Sequence, residues 1–387
     1  MKKKLFSLAM LSVVVFTFAQ QDFYALTGKN VPNIVFSDFR VLDVEHGISG
    51  ELIYGTESAP KVFSQIYNRN VTEDKTGFNH SQTAAMASLA YDELNGKLVY
   101  IPMFSSNVYV LDQKSKDLTL VESNVIKSRA CDIGSHITRM ATGYDGNIYA
   151  MSNSGSQFLQ ISRQNGKYLV TDLGSVKNDS SNGENALDIM NKGFGGDMIA
   201  GADNSFYIFS ASGNVFKMSP QFLTAKFAGK ISGLPENYSL NGAAVNSKGK
   251  VVVASAKGEG LYEVNMEDLQ AKALPGQLNI PIYDLASKYF LNDRLPGDAY
   301  ALTDVYPTQV ESSFIYVKLE DPKIRGTVSV DIYDFAGIKV LQKTLSSIEK
   351  NTTQKIELKA LKTGVYIVSI SDSNKKIILN KKITVNR

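Results

Sequence analysis

The sequence predicts an all-β chain: a β-propeller of six blades, with seven as the alternative count, followed by a small immunoglobulin-like β-sandwich. Three observations predict it. A three-strand pattern recurs through the middle of the chain at intervals of roughly 45–58 residues. Turn pairs such as Asn95-Gly96, Asp145-Gly146 and Gly213-Asn214 punctuate it where tight hairpins need positive φ. After residue 302 the repeat stops, and short strands of two-residue alternation take over.

The N-terminal segment precedes both parts. Lys2, Lys3 and Lys4 lead into the uncharged run Leu5–Phe18, and Thr17 and Ala19 are small residues of the kind a signal peptidase accepts. The pattern predicts a signal peptide over residues 1–19, cut between Ala19 and Gln20, with the general secretory translocase and signal peptidase as partners. The run falls short of the roughly 20 residues of a membrane span, and charges interrupt every later apolar stretch, so no transmembrane anchor is expected in the mature chain. Without the three lysines the formal charge falls from +3 to zero. Residues 303–387 carry 14 Lys/Arg against 9 Asp/Glu. Neither part has the clustered basic face that nucleic acid requires. The single cysteine, Cys131, excludes an intramolecular disulfide and is expected as a small buried apolar residue.

The propeller is expected over residues 20–302. Ser88–Asp112, Met140–Ser162, Ile199–Ser219 and Gly242–Asn265 each read as a strand of small residues, a polar turn, an apolar strand, a second turn and a third strand. Middle strands begin at Leu98, Ile148, Phe206 and Val251; third strands begin at Val108, Phe158, Val215 and Leu261. Such a meander cannot bury both faces alone, and stacking around an axis buries them without leaving a long edge. Small residues in the first strand (Ala87 and Ala90, Ala141 and Gly143, Ala200 and Gly201, Ala243 and Ala244) suit strands crowded toward a central channel. Leu52–Tyr67 reads as a fifth, weaker copy, and Asn33–Val44 with Ile280–Leu302 as a blade closed between the two ends. The pattern resembles the broad class of NHL-like and gluconolactonase-like propellers.

No catalytic motif stands out. His46, His80 and His136 lack paired metal-ligand spacing, and there is no nucleophile elbow, phosphate loop or dinucleotide fingerprint. Gly193–Gly196 reads as loop punctuation, and the Asp145 segment as a hairpin turn rather than a calcium loop. Residues leading into the innermost strands border the channel mouth: His136, Arg139, Asp197, Asn241 and Asp284. That set could hold a polar ligand. No cofactor is fixed by it, and a divalent metal, calcium or similar, is the one it would hold. Leu240–Lys250 is similar to a blade of the gluconolactonase family, in which carboxylates and amides at such positions hold a metal. The alternative expectation is that these groups solvate the channel and cap strands. Two long polar loops, Asn68–Thr83 and Gly174–Gly196, are further candidate binding elements, with Phe78, His80 and Glu184 as candidate contacts.

In residues 303–387, Val328, Val330 and Ile332 point to one face while Ser329 and Asp331 point to the other. About seven short strands follow, making a sandwich. Four ordered pieces carry a family resemblance: Val305–Pro307, Val328–Val340, Leu361–Ile370 and Asn380–Val385. They resemble the type A C-terminal sorting domain of the Bacteroidetes type IX secretion system. The motif residues are Tyr306, Pro307, Asp331, Tyr333, Asp334, Gly337, Gly364, Tyr366, Lys381 and Lys382; the usual Tyr-Pro-Asn-Pro opening reads Tyr-Pro-Thr-Gln here. The resemblance implies recognition by the outer-membrane translocon, removal by its sorting protease, and delivery outside the cell or onto its surface. An adhesion or sugar-binding sandwich is the rival, and the absence of Trp argues against it.

The expected function is therefore an exported cargo whose propeller binds an extracellular ligand or protein. The alternatives are a metal-dependent hydrolase or lactonase working at the channel mouth, and a purely structural surface component.

Overall fold

The computed structural model describes residues 23–29, 35–44, 46–55, 58, 60–72, 86–129, 131–187, 195–202, 205–276, 278–291, 303–319, 326–334, 336–346 and 352–386. Strands begin the chain as β1 (Phe23–Lys29), β2 (Val35–Asp43) and β3 (Ile48–Tyr54), followed by a short hairpin, β4 (Val62–Ser64) and β5 (Arg69–Val71). The repeat then supplies β6 (Met86–Asp92), β7 (Lys97–Pro102), β8 (Val108–Asp112) and β9 (Leu118–Val121). Next come β10 (Ile137–Thr142), β11 (Ile148–Ser152), β12 (Phe158–Gln164) and β13 (Lys167–Gly174). A two-residue β14 (Lys177–Asn178) precedes β15 (Asp197–Ala200), β16 (Phe206–Phe209), β17 (Asn214–Ser219) and β18 (Thr224–Lys230). The last blade strands are β19 (Leu240–Val245), β20 (Val251–Ser255), β21 (Leu261–Asn265), β22 (Gln270–Ala273) and β23 (Ile282–Ala286).

These strands form five sheets with innermost strands β6, β10, β15, β19 and β23, and each innermost strand neighbours the next around a closed ring. β23 pairs with β1, so strands from both ends of the repeat region close the ring, as expected. Five separate apolar clusters fill the five gaps between adjacent blades. Burial between blades is what the isolated meander lacks.

The described residues thus form five blades, where the sequence predicts six. The discrepancy lies in Leu52–Tyr67. β3 is the outer strand of the closing blade, whereas β4 pairs in parallel with β9 and extends the next blade outward. A three-residue strand buries too little to form a blade. Cys131 also departs from expectation: it is exposed, in the turn between Arg129 and Asp132, away from every apolar cluster.

The remaining strands are β24 (Thr303–Tyr306), β25 (Gln309–Val310), β26 (Phe314–Leu319), β27 (Thr327–Asp334), β28 (Lys339–Ser346), β29 (Thr352–Glu357), β30 (Gly364–Ser371) and β31 (Ile377–Val385). They form a three-stranded and a five-stranded sheet around their own apolar cluster, in which Val328, Val330 and Ile332 are buried. Asp334 closes the β27–β28 turn, its Oδ1 accepting from Ala336 N and Ile338 N at 2.9 Å with Gly337 at φ 78°. Tyr366 donates to Lys362 O at 2.9 Å, and Lys381 pairs with Asp304 across the sheets. No helix among the described residues is long and apolar enough to cross a membrane.

Candidate functional site at the channel mouth

All five innermost strands start on one face, the mouth face. Registers such as Ile137↔Ser152 put the β7–β8, β11–β12, β16–β17 and β20–β21 turns on this face too. Four innermost strands begin with a register shift that leaves one residue bulged: Ala87, Thr138, Asn241 and Tyr283. A bulge bends the strand and redirects its side chains. In the remaining blade Gly195 takes the equivalent place before β15. Together these five residues, with Phe36 and Met86, line an axial cavity of about 10 Å³, the room of a single water.

Directly behind this ring lie the charged candidates. Arg139, Asp197 and Asp284 are all fully buried. Arg139 donates from Nε to Phe209 O (3.3 Å), from Nη2 to Gly195 O (2.7 Å), and from Nη1 to Asn153 O (3.1 Å), Thr138 Oγ1 (3.2 Å) and Ser152 O (3.4 Å). Its guanidinium therefore ties its own blade to the next. Asp197 accepts from Met198 N (2.7 Å), Ala243 N (2.6 Å) and Leu285 N (3.4 Å), which belong to three successive innermost strands. Asp284 faces the amides of Leu89 and Leu285, but neither oxygen makes a hydrogen bond of normal geometry among the described residues.

Burial raises both carboxyl groups, and the charge of Asp197 pushes Asp284 higher still. Three N–H donors and Arg139 oppose that rise at Asp197. At Asp284 the amides of Leu89 and Leu285 and the charge of Arg139 oppose the rise. Burial also lowers Arg139 to about 10, with both aspartates working against the fall.

His136 precedes β10 and is buried. Its Nδ1 accepts from Phe104 N at 3.2 Å, and its ring meets that of Phe104 edge-on at 4.6 Å. Nδ1 being an acceptor, the neutral ring carries its proton on Nε2, which has no partner among the described residues. Burial lowers its pKa against the opposing effect of Asp132. Asn241 is 6% exposed, its amide nitrogen placed to donate to Leu240 O and Ser239 Oγ, each at 3.1 Å. Glu184 is exposed, while Phe78, His80, Ala19 and Gln20 lie outside the described residues.

The fold thus brings Arg139, Asp197 and Asp284 together, with Asn241 on the adjoining ring and His136 apart from the three. Chemically the trio is a tie between blades: its polar atoms face backbone groups of neighbouring strands. Among the described residues no three His, Cys, Asp or Glu side chains converge as metal ligands. Sequence reasoning passed over Thr138, Tyr283 and the Gly195-Gly196 pair. A Cβ at Gly196 would lie 2.2 Å from Phe209 O and 2.9 Å from Arg139 Nη2, and its φ is +93°. Gly196 is therefore what admits the guanidinium. The sequence signal was there in Gly-Gly immediately before a buried Asp.

The architecture is that of a closed β-propeller followed by a β-sandwich. Residues 304–386 match the secretion system C-terminal sorting domain. That domain indicates export by type IX secretion to the outer cell surface or the extracellular space, and implies interaction of the tail with that machinery. None of the curated proteins is significantly similar in sequence. Among solved structures, the chain is similar to PorZ of Porphyromonas gingivalis, an essential bacterial surface component of the type-IX secretion system, at 14% identity and TM-score 0.32 over 94% of this chain and 51% of that one. It is similar to the extracellular domain of a one-component system of B. thetaiotaomicron at 11% identity and TM-score 0.32, over 91% of this chain and 50% of that one. The chain spans about half the length of these two proteins. Similarity to a virginiamycin B lyase of Staphylococcus aureus is 9% in identity with TM-score 0.34, over 95% and 96% of the two chains.

Proposed function

We propose that the propeller is a ligand- or protein-binding module presented outside the cell, and that its binding surface is the rim of the mouth face. In this reading residues 1–19 are removed after passage through the general secretory translocase, residues 20–302 form the binding unit, and residues 303–387 are read by the outer-membrane translocon and its sorting protease. The observation that carries it is the sealed charge cluster. Arg139, Asp197 and Asp284 are fully buried, and Arg139 and Asp197 are hydrogen-bonded to neighbouring strands, so a partner meets the surrounding turns instead. The strands that follow segments 68–83 and 174–196, β6 and β15, start on that same face, and long loops are where binding specificity is commonly built.

The test is crosslinking on intact cells, comparing the full chain with variants in which residues 73–85 or 183–194 are replaced by short Gly/Ser connections. A binding module yields a discrete crosslinked partner that one of these replacements abolishes while export continues. An unchanged crosslinking pattern with both replacements overturns the reading.

A further inference from the structure

The face opposite the mouth carries a second arrangement. After β23, residues Ser287–Leu291 cross beneath the ring: Ser287 Oγ donates to Val245 O at 2.7 Å, Leu291 N donates to Ala200 O at 3.0 Å, and Ala202 N donates to Leu291 O at 2.9 Å. This path takes the chain from the closing blade past the end of β19 to the end of β15. It delivers Phe290 to Tyr144, which sits in the β10–β11 turn, with ring centroids 4.9 Å apart.

Two rings of the sorting domain complete the group. Tyr306 lies 4.6 Å and Tyr316 6.2 Å from Tyr144, and the two lie 5.8 Å from each other. Tyr316 is 3% exposed. The Tyr144 turn is rigidly built, with Asp145 accepting from Tyr149 Oη at 2.7 Å and from Asn147 Nδ2 at 3.0 Å. A second contact lies one blade away, where Gln221 Nε2 donates to Ser313 Oγ at 3.5 Å.

We propose that this far face of the propeller is a docking site for its own sorting domain, with Tyr144 as the central anchor and Tyr306 shielded against it. Several features favour this one occupant. The crossing segment ends beside the site, the rings form edge-on pairs of the kind that carry coupling beyond area burial, and contacts fall on two adjacent blades. The Tyr144 turn exists only when β10 and β11 are paired, so docking also reports that this blade has formed. The mouth face points away and stays open while the sorting domain is held. Any receptor that reads the opening strand at Tyr306 competes with the propeller for it.

The chain contains no tryptophan, so Tyr144→Trp in the full chain installs a single reporter at the anchor. Docking gives blue-shifted emission and weak acrylamide quenching; adding Tyr306→Ser shifts the emission to the red and raises quenching several-fold. Circular dichroism checks that both units remain folded. Small-angle scattering of the unsubstituted chain is the independent measurement, expecting one compact particle whose maximum dimension grows with Tyr144→Ser. Emission of an exposed indole in the folded Tyr144→Trp chain overturns the proposal, as does scattering from two freely tethered bodies. If the tryptophan variant fails to fold, the scattering of the unsubstituted chain decides alone.

Discussion

Asp197→Ala separates a tie between blades from a ligand-binding group. The substitution removes the acceptor for Ala243 N and Leu285 N, both in other blades. Each buried donor left without a partner costs about 1–3 kcal/mol. The two together cost about 2–6 kcal/mol, a large part of a whole domain's stability of about 5–15 kcal/mol. At about 2–4 °C per kcal/mol the melting temperature falls by at least about 4 °C. Thermal unfolding of the full chain, followed through near-ultraviolet tyrosine dichroism, measures it. Asp197→Asn keeps an acceptor and recovers part of the loss. A melting temperature within about 3 °C of the parent for Asp197→Ala would refute the assignment and return Asp197 to the pool of ligand-binding candidates.

Asp284→Asn has the opposite sign. The Asp284 carboxyl is raised above its ordinary value of about 4, so the unfolded chain ionises first and the parent loses stability as pH climbs from about 4 through the folded value. The amide variant does not titrate; its stability relative to the parent rises over that window, and urea midpoints at pH 4, 6 and 8 check it. Equal midpoint differences at all three would show that Asp284 is ionised in the fold. Gly196→Ala forces a Cβ to 2.2 Å from Phe209 O at φ +93°, and a destabilisation of at least about 3 kcal/mol is expected by chemical denaturation. Deleting residues 303–387 removes the sorting domain and leaves the protein in the periplasm; cell fractionation finding it at the surface would contradict the export assignment.

The tail was legible because its code is local. Period-two alternation at Val328, Val330 and Ile332 and the Asp334 turn depend on near neighbours in the chain, and they appear in the structure as read. The same holds for the middle and third strands of the repeat, where the 9- to 10-residue offset from Leu98 to Val108 or Phe206 to Val215 is one hairpin. Leu52–Tyr67 looked like another such hairpin, yet its strands divide between two sheets. Which sheet edge takes a strand depends on residues far away in sequence, so the count of blades could not be read locally.

The polar positions behind the channel mouth divide in the same way. Sequence alone determined that Arg139, Asp197 and Asp284 would start innermost strands and that the chain would end in an export label, because repeat register and motif order are properties of the string. Only the tertiary structure decided that these groups are buried against neighbouring backbones, that one aspartate holds three amides while the other makes no such bond among the described residues, and that Gly196 makes room for the guanidinium. Those outcomes depend on desolvation and on donors contributed by other blades. Neither exists until the ring closes.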